Sequence, residues 1–296
     1  MILVTGGTGF VGRHLIQRMR KEGIPLRALV RGPERAQSLG DLGVELVRGN
    51  IADKASLEKA AAGAEYVVHL VGIIQEAPRA TFQGVHVEGT RNVLDAAKKA
   101  GVRHFFYQSA LGTRRGAKSS YHKTKWEAEE LVRTSGIPFT ILRPSLIYGK
   151  GDGFTTRLSE TIRLLPFLPV IGQGKSKVQP IFIDDVVSCM LKAMTDDLFL
   201  NKRYEIGGPE QLTYEEVTTT LAEALGVHRP VLHLPLALMK PVAGLLEALL
   251  PVPPLTADQL IMIQEDNICS MQDIHDAFGV EPVAFRKGLA QFITAG

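Results

Sequence analysis

The sequence has little of several features that mark specialised classes of protein. Only two of its 296 residues are cysteines, Cys189 and Cys269, and they form no Cys-x-x-Cys pair. Two cysteines without this spacing indicate neither a disulfide framework nor a metal site, so we expect two reduced thiols and no bound metal. The charge excess is also small, with 34 Lys and Arg against 31 Asp and Glu. Because no basic patch stands out, we expect no nucleic-acid partner.

Long hydrophobic runs are equally scarce. The first residues already read as a β-strand, which leaves no room for a signal peptide, so we expect a cytoplasmic protein. The most apolar stretch, residues 234–250, is interrupted by Lys240, Pro241 and Glu247 and is shorter than the roughly 20 residues of a spanning helix. The pattern favours a helix packed in a core or along a pocket, and it leaves open a surface that associates with a membrane.

Residues 1 to about 143 alternate short apolar, β-branched runs with helical patterns. The predicted strands are Ile2–Thr5, Leu26–Val30, Val44–Val47, Tyr66–Val71, His104–Gln108 and Phe139–Leu142. The predicted helices between them are Val11–Lys21, Ser56–Ala61, Val87–Lys99 and Tyr121–Thr134. Strict alternation of strand and helix predicts an α/β fold with a doubly wound parallel sheet.

A glycine-rich turn joins the first predicted strand to the first predicted helix. It contains Gly6, Gly7, Thr8, Gly9, Phe10, Val11 and Gly12, so that glycines recur every third residue. Glycine permits a tight turn, lets backbone N–H groups approach a pyrophosphate at the helix N-terminus, and allows close packing of helix on strand. The turn therefore predicts dinucleotide binding, and the alternative is a merely flexible turn.

The residue after the second predicted strand bears on the choice of cofactor. An acidic residue there would suit the ribose 2′-hydroxyl of NAD(H), but this chain has Arg31, with Arg35 close behind. A cation suits a 2′-phosphate, so we predict NADP(H) over NAD(H). A solvated surface arginine is the alternative.

Three residues predict acid–base chemistry. Tyr121 and Lys125 are four residues apart at the start of a predicted helix, so they share one face. Ser109 follows the fifth predicted strand, and all three would lie at the carboxyl edge of the sheet. Lys125 would favour the phenolate of Tyr121, which exchanges a proton with the substrate, while Ser109 donates a hydrogen bond to the same oxygen. The alternative is a packed tyrosine beside a solvated lysine.

The regular alternation of predicted strands and helices ends after Arg143. A predicted strand at Val178–Ile183 and a helix at Asp185–Met194 return to the nucleotide domain, and residues beyond about Tyr204 read as mostly helical, including Leu236–Leu250 and Met271–Phe278. We therefore predict a dinucleotide-binding domain of residues 1–145 and about 176–203. Residues 146–175 and 204–296 form a smaller cap, with substrate in the cleft between the two.

Together these residues resemble the extended and atypical short-chain dehydrogenase/reductases, which are related to NAD-dependent epimerases and dehydratases. The matching segments are TGGTGFVG at 5–12, Ser109, YHKTK at 121–125, RPSLIYGKGD at 143–152, FIDDV at 182–186 and YEIGGPEQLTYEEV at 204–217. Within that superfamily the chain looks most like the group related to the nucleotide-binding accessory subunit of respiratory complex I.

The resemblance implies a Rossmann domain, a substrate-binding C-terminal domain, and the roles given above to Ser109, Tyr121 and Lys125. Further cofactor contacts are predicted at Asn50, Ile51, Leu70, Val71, Gly72, Lys125 and Pro144. His86 stands where many active members have an asparagine that supports a proton relay. It could relay a proton itself or merely fill the site.

Three functions remain open at this stage. The first is NAD(P)-dependent oxidation or reduction of a small, hydrophobic carbonyl, alcohol or quinone-like substrate. The second is a non-catalytic NADP(H)-binding protein that senses redox state or assists a respiratory complex at a membrane. The third is a nucleotide-sugar epimerase or dehydratase, which is disfavoured by the scattered cations of the predicted cap. The sequence is compatible with a monomer or a homodimer.

Overall fold

The computed structural model describes residues 1–32, 34 and 36–293. The chain divides into two compact units, one formed by Met1–Arg143 with Val187–Tyr204 and the other by Pro144–Val186 with Glu205–Gly296. The sequence assigned residues from about 176 to 203 to the nucleotide domain, whereas the structure groups Pro144–Val186 with the second unit and Val187–Tyr204 with the first. The assignment of cofactor to one domain and substrate to the other stays a prediction.

Thirteen strands form the β-structure of the described residues. They are β1 (Ile2–Thr5), β2 (Leu26–Val30), β3 (Glu45–Arg48), β4 (Tyr66–His69), β5 (His104–Gln108), β6 (Phe139–Pro144), β7 (Ile147–Tyr148), β8 (Leu168–Ile171), β9 (Lys177–Val178), β10 (Ile181–Phe182), β11 (Lys202–Ile206), β12 (Leu212–Thr213) and β13 (Val231–Leu234). Seven of them form one sheet in the order β11-β6-β5-β4-β1-β2-β3. The pairs from β3 to β6 are parallel, which confirms the predicted doubly wound α/β class.

Eleven α-helices accompany these strands in the described part of the chain. They are α1 (Phe10–Lys21), α2 (Gln37–Gly40), α3 (Lys54–Ala61), α4 (Gly89–Lys99), α5 (Ser120–Arg133), α6 (Gly153–Leu164), α7 (Ile183–Thr195), α8 (Tyr214–Ala224), α9 (Leu236–Leu249), α10 (Ala257–Met262) and α11 (Phe285–Leu289). Side-chain caps begin several of them. Asp53 accepts the N–H of Ser56 ahead of α3, and Ser119 accepts the N–H of His122 ahead of α5.

Helices α3, α4 and α5 contribute to a hydrophobic core cluster of the first unit. Strand residues such as Leu3 and Phe105 pack with helix residues such as Leu57, Val93 and Ala128, all of them buried. This apolar cluster fixes the strand register, because a shift of one residue along a strand would turn its apolar side chains, such as Leu3 or Phe105, to the opposite face.

The register also brings polar residues into one row. Thr5 at the end of β1 lies opposite His69 at the end of β4, and His69 lies opposite Tyr107 in β5. Directly opposed residues on parallel strands share a face of the sheet. All three are buried, so their polar atoms must find partners within the protein.

The second unit departs from the sequence expectations in three places. The predicted strand Val178–Ile183 is split into β9 and β10, because Gln179 and Pro180 intervene and proline has no N–H for a sheet ladder. The region beyond Tyr204 is less helical than predicted, since it contains β11, β12 and β13. The predicted helix Met271–Phe278 is reduced to a π-helical turn, Asp273–Ala277.

Helix α9 corresponds to the apolar stretch that the sequence singled out. Only Ala243 in it is fully buried, and Leu238, Val242, Leu245 and Leu249 are exposed on a common face. The expectation of a core helix is therefore wrong for that face, although its first residue, Leu236, lines a cavity of about 550 Å³ in the second unit. Among the described residues, no helix combines the length and the apolar character that crossing a bilayer requires.

Candidate functional site

The glycine-rich turn adopts a conformation that side chains would obstruct. Gly6, at the end of β1, has φ +83°, and a Cβ there would lie 2.9 Å from the carbonyl carbon of Leu70. A Cβ at Gly7 would lie 2.6 Å from Cδ1 of Ile16, and one at Gly12 would lie 2.7 Å from Cα of Gly7. At Gly6 and Gly12 the obstructing atoms belong to the backbone, so glycine is required there, whereas at Gly7 the tip of the Ile16 side chain would have to move. The turn is thereby more than a flexible connection.

The N-terminus of α1 opens from this turn, and no side chain of the described residues caps it. Gly9 is the N-cap, it has no side chain to accept a hydrogen bond, and the first turn, with Phe10 and Val11, contains no acidic residue. Thr8 is exposed beside it. A helix start of this kind favours an anion through its N–H groups and its dipole. These residues therefore fit the pyrophosphate of a dinucleotide.

Four further cofactor residues were predicted near the ends of the second and third strands. Arg31 directly follows β2 and is exposed, while Arg35 lies outside the described residues. Asn50 is exposed and its Oδ1 accepts the N–H of Ala52 at 2.8 Å, which forms a local turn. Ile51 is half-buried, and its carbonyl accepts a hydrogen bond from Asn92 at 2.9 Å. Their contacts with a cofactor stay predictions.

Lys125 lies deep in the first unit on α5. Its Nζ donates to the carbonyl of Gln108 at 2.9 Å and lies 3.5 Å from the hydroxyl of Tyr107. A Cβ placed on Gly72 would lie 3.2 Å from the same Nζ. Burial lowers the pKa of Lys125 from 10.5 to about 8, although the negative charge of Glu129 acts to raise it. Because this pKa is still above 7, the ammonium form predominates at neutral pH. The alternative of a solvated lysine is therefore excluded.

Tyr121 lies in the first turn of α5, one helical turn before Lys125. Its ring packs edge-on against Phe82 and His86, with centroid separations of 6.0 and 5.5 Å. Burial raises the pKa of its phenol from 10.0 to about 12, because the anion would lose its hydration. In this environment Tyr121 is a protonated group that can act as an acid.

Ser109 is placed by the sheet rather than by α5. It directly follows β5, where its N–H donates to the carbonyl of Leu142 at 2.8 Å. Its buried hydroxyl donates to Thr113 Oγ1 over 3.4 Å, which is a long bond that a better acceptor could replace. The neighbouring Gln108 carries a buried Oε1 with no hydrogen-bond partner in the described part of the chain. Such an acceptor is costly to leave unpaired and suits a donor on a bound molecule.

His86 lies on a π-helical turn, Gln83–Glu88, that the sequence did not predict. Its Nδ1 hydrogen-bonds Thr124 Oγ1 at 2.9 Å, and its Nε2 lies 3.1 Å from both the N and the O of Ile73. Burial, followed by the charge of Lys125, lowers its pKa from 6.5 to about 2, so the ring is neutral. Turns of this type are frequent at functional sites.

The remaining predicted cofactor residues occupy two different places. Leu70, Val71 and Gly72 follow β4; the backbone of the first two borders Gly6, and Gly72 borders Lys125 and His86. These three residues thus connect the glycine turn with Lys125. Pro144 is the last residue of β6 and belongs to the second unit.

Sequence reasoning did not single out the buried polar row Thr5, His69 and Tyr107. The available signal was a histidine and a threonine at the ends of otherwise apolar strands. It also passed over the buried pair in which Arg143 donates to both carboxylate oxygens of Glu129, at 2.8 and 2.7 Å. That pair places a negative charge near Lys125 and balances it from β6.

The parallel sheet, the glycine turn and the uncapped helix define the class of protein, which is an NAD(P)-binding Rossmann protein. More particularly, the chain belongs to the NAD dependent epimerase/dehydratase family, whose profile matches residues 2–207. This finding confirms the resemblance drawn from the sequence motifs.

The relatives of this chain include enzymes and subunits of a respiratory complex. A ceramide reductase of Caulobacter vibrioides is 32% identical over 79% of this chain and 74% of that protein. A mitochondrial NADH dehydrogenase (ubiquinone) 1 alpha subcomplex subunit 9 of Arabidopsis thaliana is 30% identical over 81% of this chain and 62% of that protein. Among solved structures, an Escherichia coli NADPH-dependent quinone oxidoreductase complexed with NADPH has a TM-score of 0.78 at 21% identity, covering 98% of this chain and 99% of that one.

Proposed function

We propose that this protein binds NADP(H) in its first unit and reduces the carbonyl or quinone-like group of a small, hydrophobic substrate. The observation that carries the proposal is the burial of Tyr121 and Lys125 one turn apart on α5, with Lys125 against Gly72, which follows the residues that border the glycine turn. The bound cofactor would supply the hydride, and the protein would supply orientation and the proton.

The state of Tyr121 supports reduction as the favoured direction. With a pKa near 12 the phenol is protonated at neutral pH, so it can donate its proton to a carbonyl oxygen as hydride arrives at carbon. Lys125, charged at neutral pH, would stabilise the phenolate that results and would hold the cofactor ribose. Ser109 would exchange its long bond to Thr113 for one to the substrate oxygen.

The test is the replacement Tyr121→Phe. NADPH consumption would be followed with quinones and aldehydes of increasing apolar size, and NADPH affinity would be measured by fluorescence titration. We expect turnover to fall about a hundredfold or more, with affinity changed less than about threefold, because the ring remains and only the acid is lost. Undiminished turnover by the variant would refute the role of Tyr121. A thermal shift with UDP- or dTDP-sugars would instead favour epimerase chemistry.

The cofactor preference has its own test. Arg31 follows β2, where a 2′-phosphate would need a cation, so Arg31→Asp should reverse the preference for NADPH over NADH. An exposed charge-assisted bond of this kind corresponds to about a tenfold change in relative affinity. Arg27→Asp is not a usable control, since Arg27 also donates to the carbonyls of Ala60 and Ala62. Arg91→Asp on α4 is suitable, because Arg91 is half-exposed and lies 3.6 Å from Glu88 in an exposed pair. An unchanged preference in Arg31→Asp would remove Arg31 from this role.

A second candidate is a cofactor-binding protein without turnover that associates with a respiratory complex at a membrane. Two points favour it: the family resemblance places His86 where many active members have an asparagine that supports a proton relay, and the relatives include a subunit of NADH dehydrogenase. This candidate predicts NADPH binding without reduction of any carbonyl or quinone, and co-purification with a membrane complex. Turnover that depends on Tyr121 would rule it out.

A further inference from the structure

In the described part of the chain, hydrogen bonds to a single side chain anchor the loop that follows β4. Leu70 makes the last backbone bond of this strand, where its N–H donates to the carbonyl of Thr5 at 3.0 Å. Residues 71–73 make no backbone-to-backbone hydrogen bond with any described residue. Their bonds are instead those of Ile73 with His86, whose Nε2 lies 3.1 Å from both the N and the O of Ile73.

The same histidine is tied to α5 at its other nitrogen. Nδ1 of His86 lies 2.9 Å from Oγ1 of Thr124, the residue immediately before Lys125. The ring is stacked on Phe82, with a centroid separation of 5.4 Å and an interplanar angle of 30°, and it packs edge-on against Tyr121. Two ring contacts and bonds at both nitrogens together fix the orientation of the imidazole.

The anchored loop borders the ammonium of Lys125. A Cβ at Gly72 would lie 3.2 Å from Nζ of Lys125 and 3.7 Å from Nε2 of His86, so Gly72 is close to both side chains. Nζ is itself held from β5, since it donates to the carbonyl of Gln108 at 2.9 Å. The separation of the loop from the ammonium therefore depends on His86, which joins Ile73 to the turn of α5 that carries Lys125.

We infer that His86 is a positioning residue, which holds residues 71–73 against α5 and so sets one wall of the cofactor site beside Lys125. The inference rests on the proposed function for the cofactor itself, because Val71 and Gly72 are predicted cofactor contacts. The anchoring of the loop needs neither cofactor nor turnover. A displaced wall would weaken cofactor binding even where proton transfer by Tyr121 is intact.

The same bonds argue against a proton relay through His86. A relay residue must take up and release a proton, but burial lowers the pKa of this ring to about 2, so it stays neutral at neutral pH. The charge of Lys125 disfavours the imidazolium further. Both nitrogens are already bonded within the protein, to Thr124 and to Ile73. Positioning and relay therefore predict different results for variants whose side chain cannot titrate.

Two amide variants separate the two ends of the anchor. A glutamine amide reaches the place of Nε2 and an asparagine amide that of Nδ1, so His86→Gln keeps a partner for Ile73, whereas His86→Asn keeps one for Thr124. Neither amide titrates near neutral pH. His104→Gln is the matched control, because His104 is also buried and bonded through Nε2, to Thr140 at 2.9 Å, but begins β5 away from the carboxyl edge of the sheet.

The first readout is NADPH affinity of the full-length protein, measured by fluorescence titration. We expect the dissociation constant to rise about tenfold in His86→Asn and to change less than about threefold in His86→Gln and His104→Gln. Turnover by His86→Gln should likewise stay close to the wild type. Equal affinities in His86→Asn and the wild type would overturn the inference. A loss of turnover in both amide variants at unchanged affinity would do the same, because it is the result of a relay.

The second readout is hydrogen exchange of the peptide spanning residues 70–82 without cofactor, which tests the anchor independently of the proposed function. Exchange should be faster in His86→Asn and close to the wild type in His86→Gln and His104→Gln, because loss of the anchor opens the loop locally. Equal exchange in His86→Asn and the wild type would refute the anchoring. If exchange behaves as expected but the wild type binds no NADPH, the proposed function fails and the anchoring of the loop stands.

Discussion

Mild acid should destabilise this protein strongly, because three of its histidines are buried in neutral form. Burial lowers the pKa of His69 to about 3, of His86 to about 2 and of His104 to about 4. In the unfolded chain each would have a pKa near 6.5. Below that value the unfolded state binds more protons than the native state, so stability rises with pH across this window and is lost as the pH falls.

The magnitude follows from these values. Between pH 7.5 and 5.5 one such histidine changes the free energy of unfolding by about 1.4 kcal/mol, since the unfolded ring becomes largely protonated and the native ring does not. Three of them give a loss of about 4 kcal/mol, if they act independently. Domains are typically stable by about 5–15 kcal/mol, so the loss is a large share of the total. Most carboxylates remain ionised over this range and contribute little.

Urea denaturation at the two pH values measures this loss directly. His104→Gln removes one of the three linked protons and should reduce the loss to about 2.7 kcal/mol. His228→Gln, at an exposed position, tests whether the effect is specific to buried histidines. A wild-type loss below about 1 kcal/mol, or an equal loss in His104→Gln, would refute the reasoning.

Two further substitutions test the site and its support. Gly6→Ala should weaken NADPH binding at least about tenfold and lower stability by about 1–3 kcal/mol, because its Cβ would meet Leu70 at a positive φ. Calorimetric titration with NADPH measures the affinity, and Gly63→Ala, at a similar φ with open space around it, is the control. Equal NADPH affinities of Gly6→Ala and the wild type would contradict the prediction. Arg143→Met should cost about 3–5 kcal/mol, because it leaves Glu129 buried and without its main partner. Urea denaturation measures that cost, which Glu129→Gln combined with Arg143→Met should partly restore; a cost below about 1 kcal/mol would mean that water reaches the carboxylate.

Local sequence patterns were sufficient for the framework of the first unit. Strands such as Leu26–Val30 and His104–Gln108 have the predicted bounds, because apolar runs between helical stretches have few alternatives. The glycine turn was equally readable, since φ +83° at Gly6 and the close approach of Leu70 leave glycine as the residue that fits. Tyr121 and Lys125 share a helix face by spacing alone, whatever the surroundings.

Only tertiary structure decided what surrounds those residues. The row Thr5, His69 and Tyr107 comes from strand register, which sets distant residues side by side, and the sequence gives no local signal of which residues will face each other. The low pKa of Lys125 and of His86 comes from burial by several elements at once. Helix α9 shows the converse, since an apolar pattern states what a helix can bury but not whether anything covers it. Sequence thus determined the elements and the candidate chemistry, while packing determined protonation, because desolvation depends on neighbours that are remote along the chain.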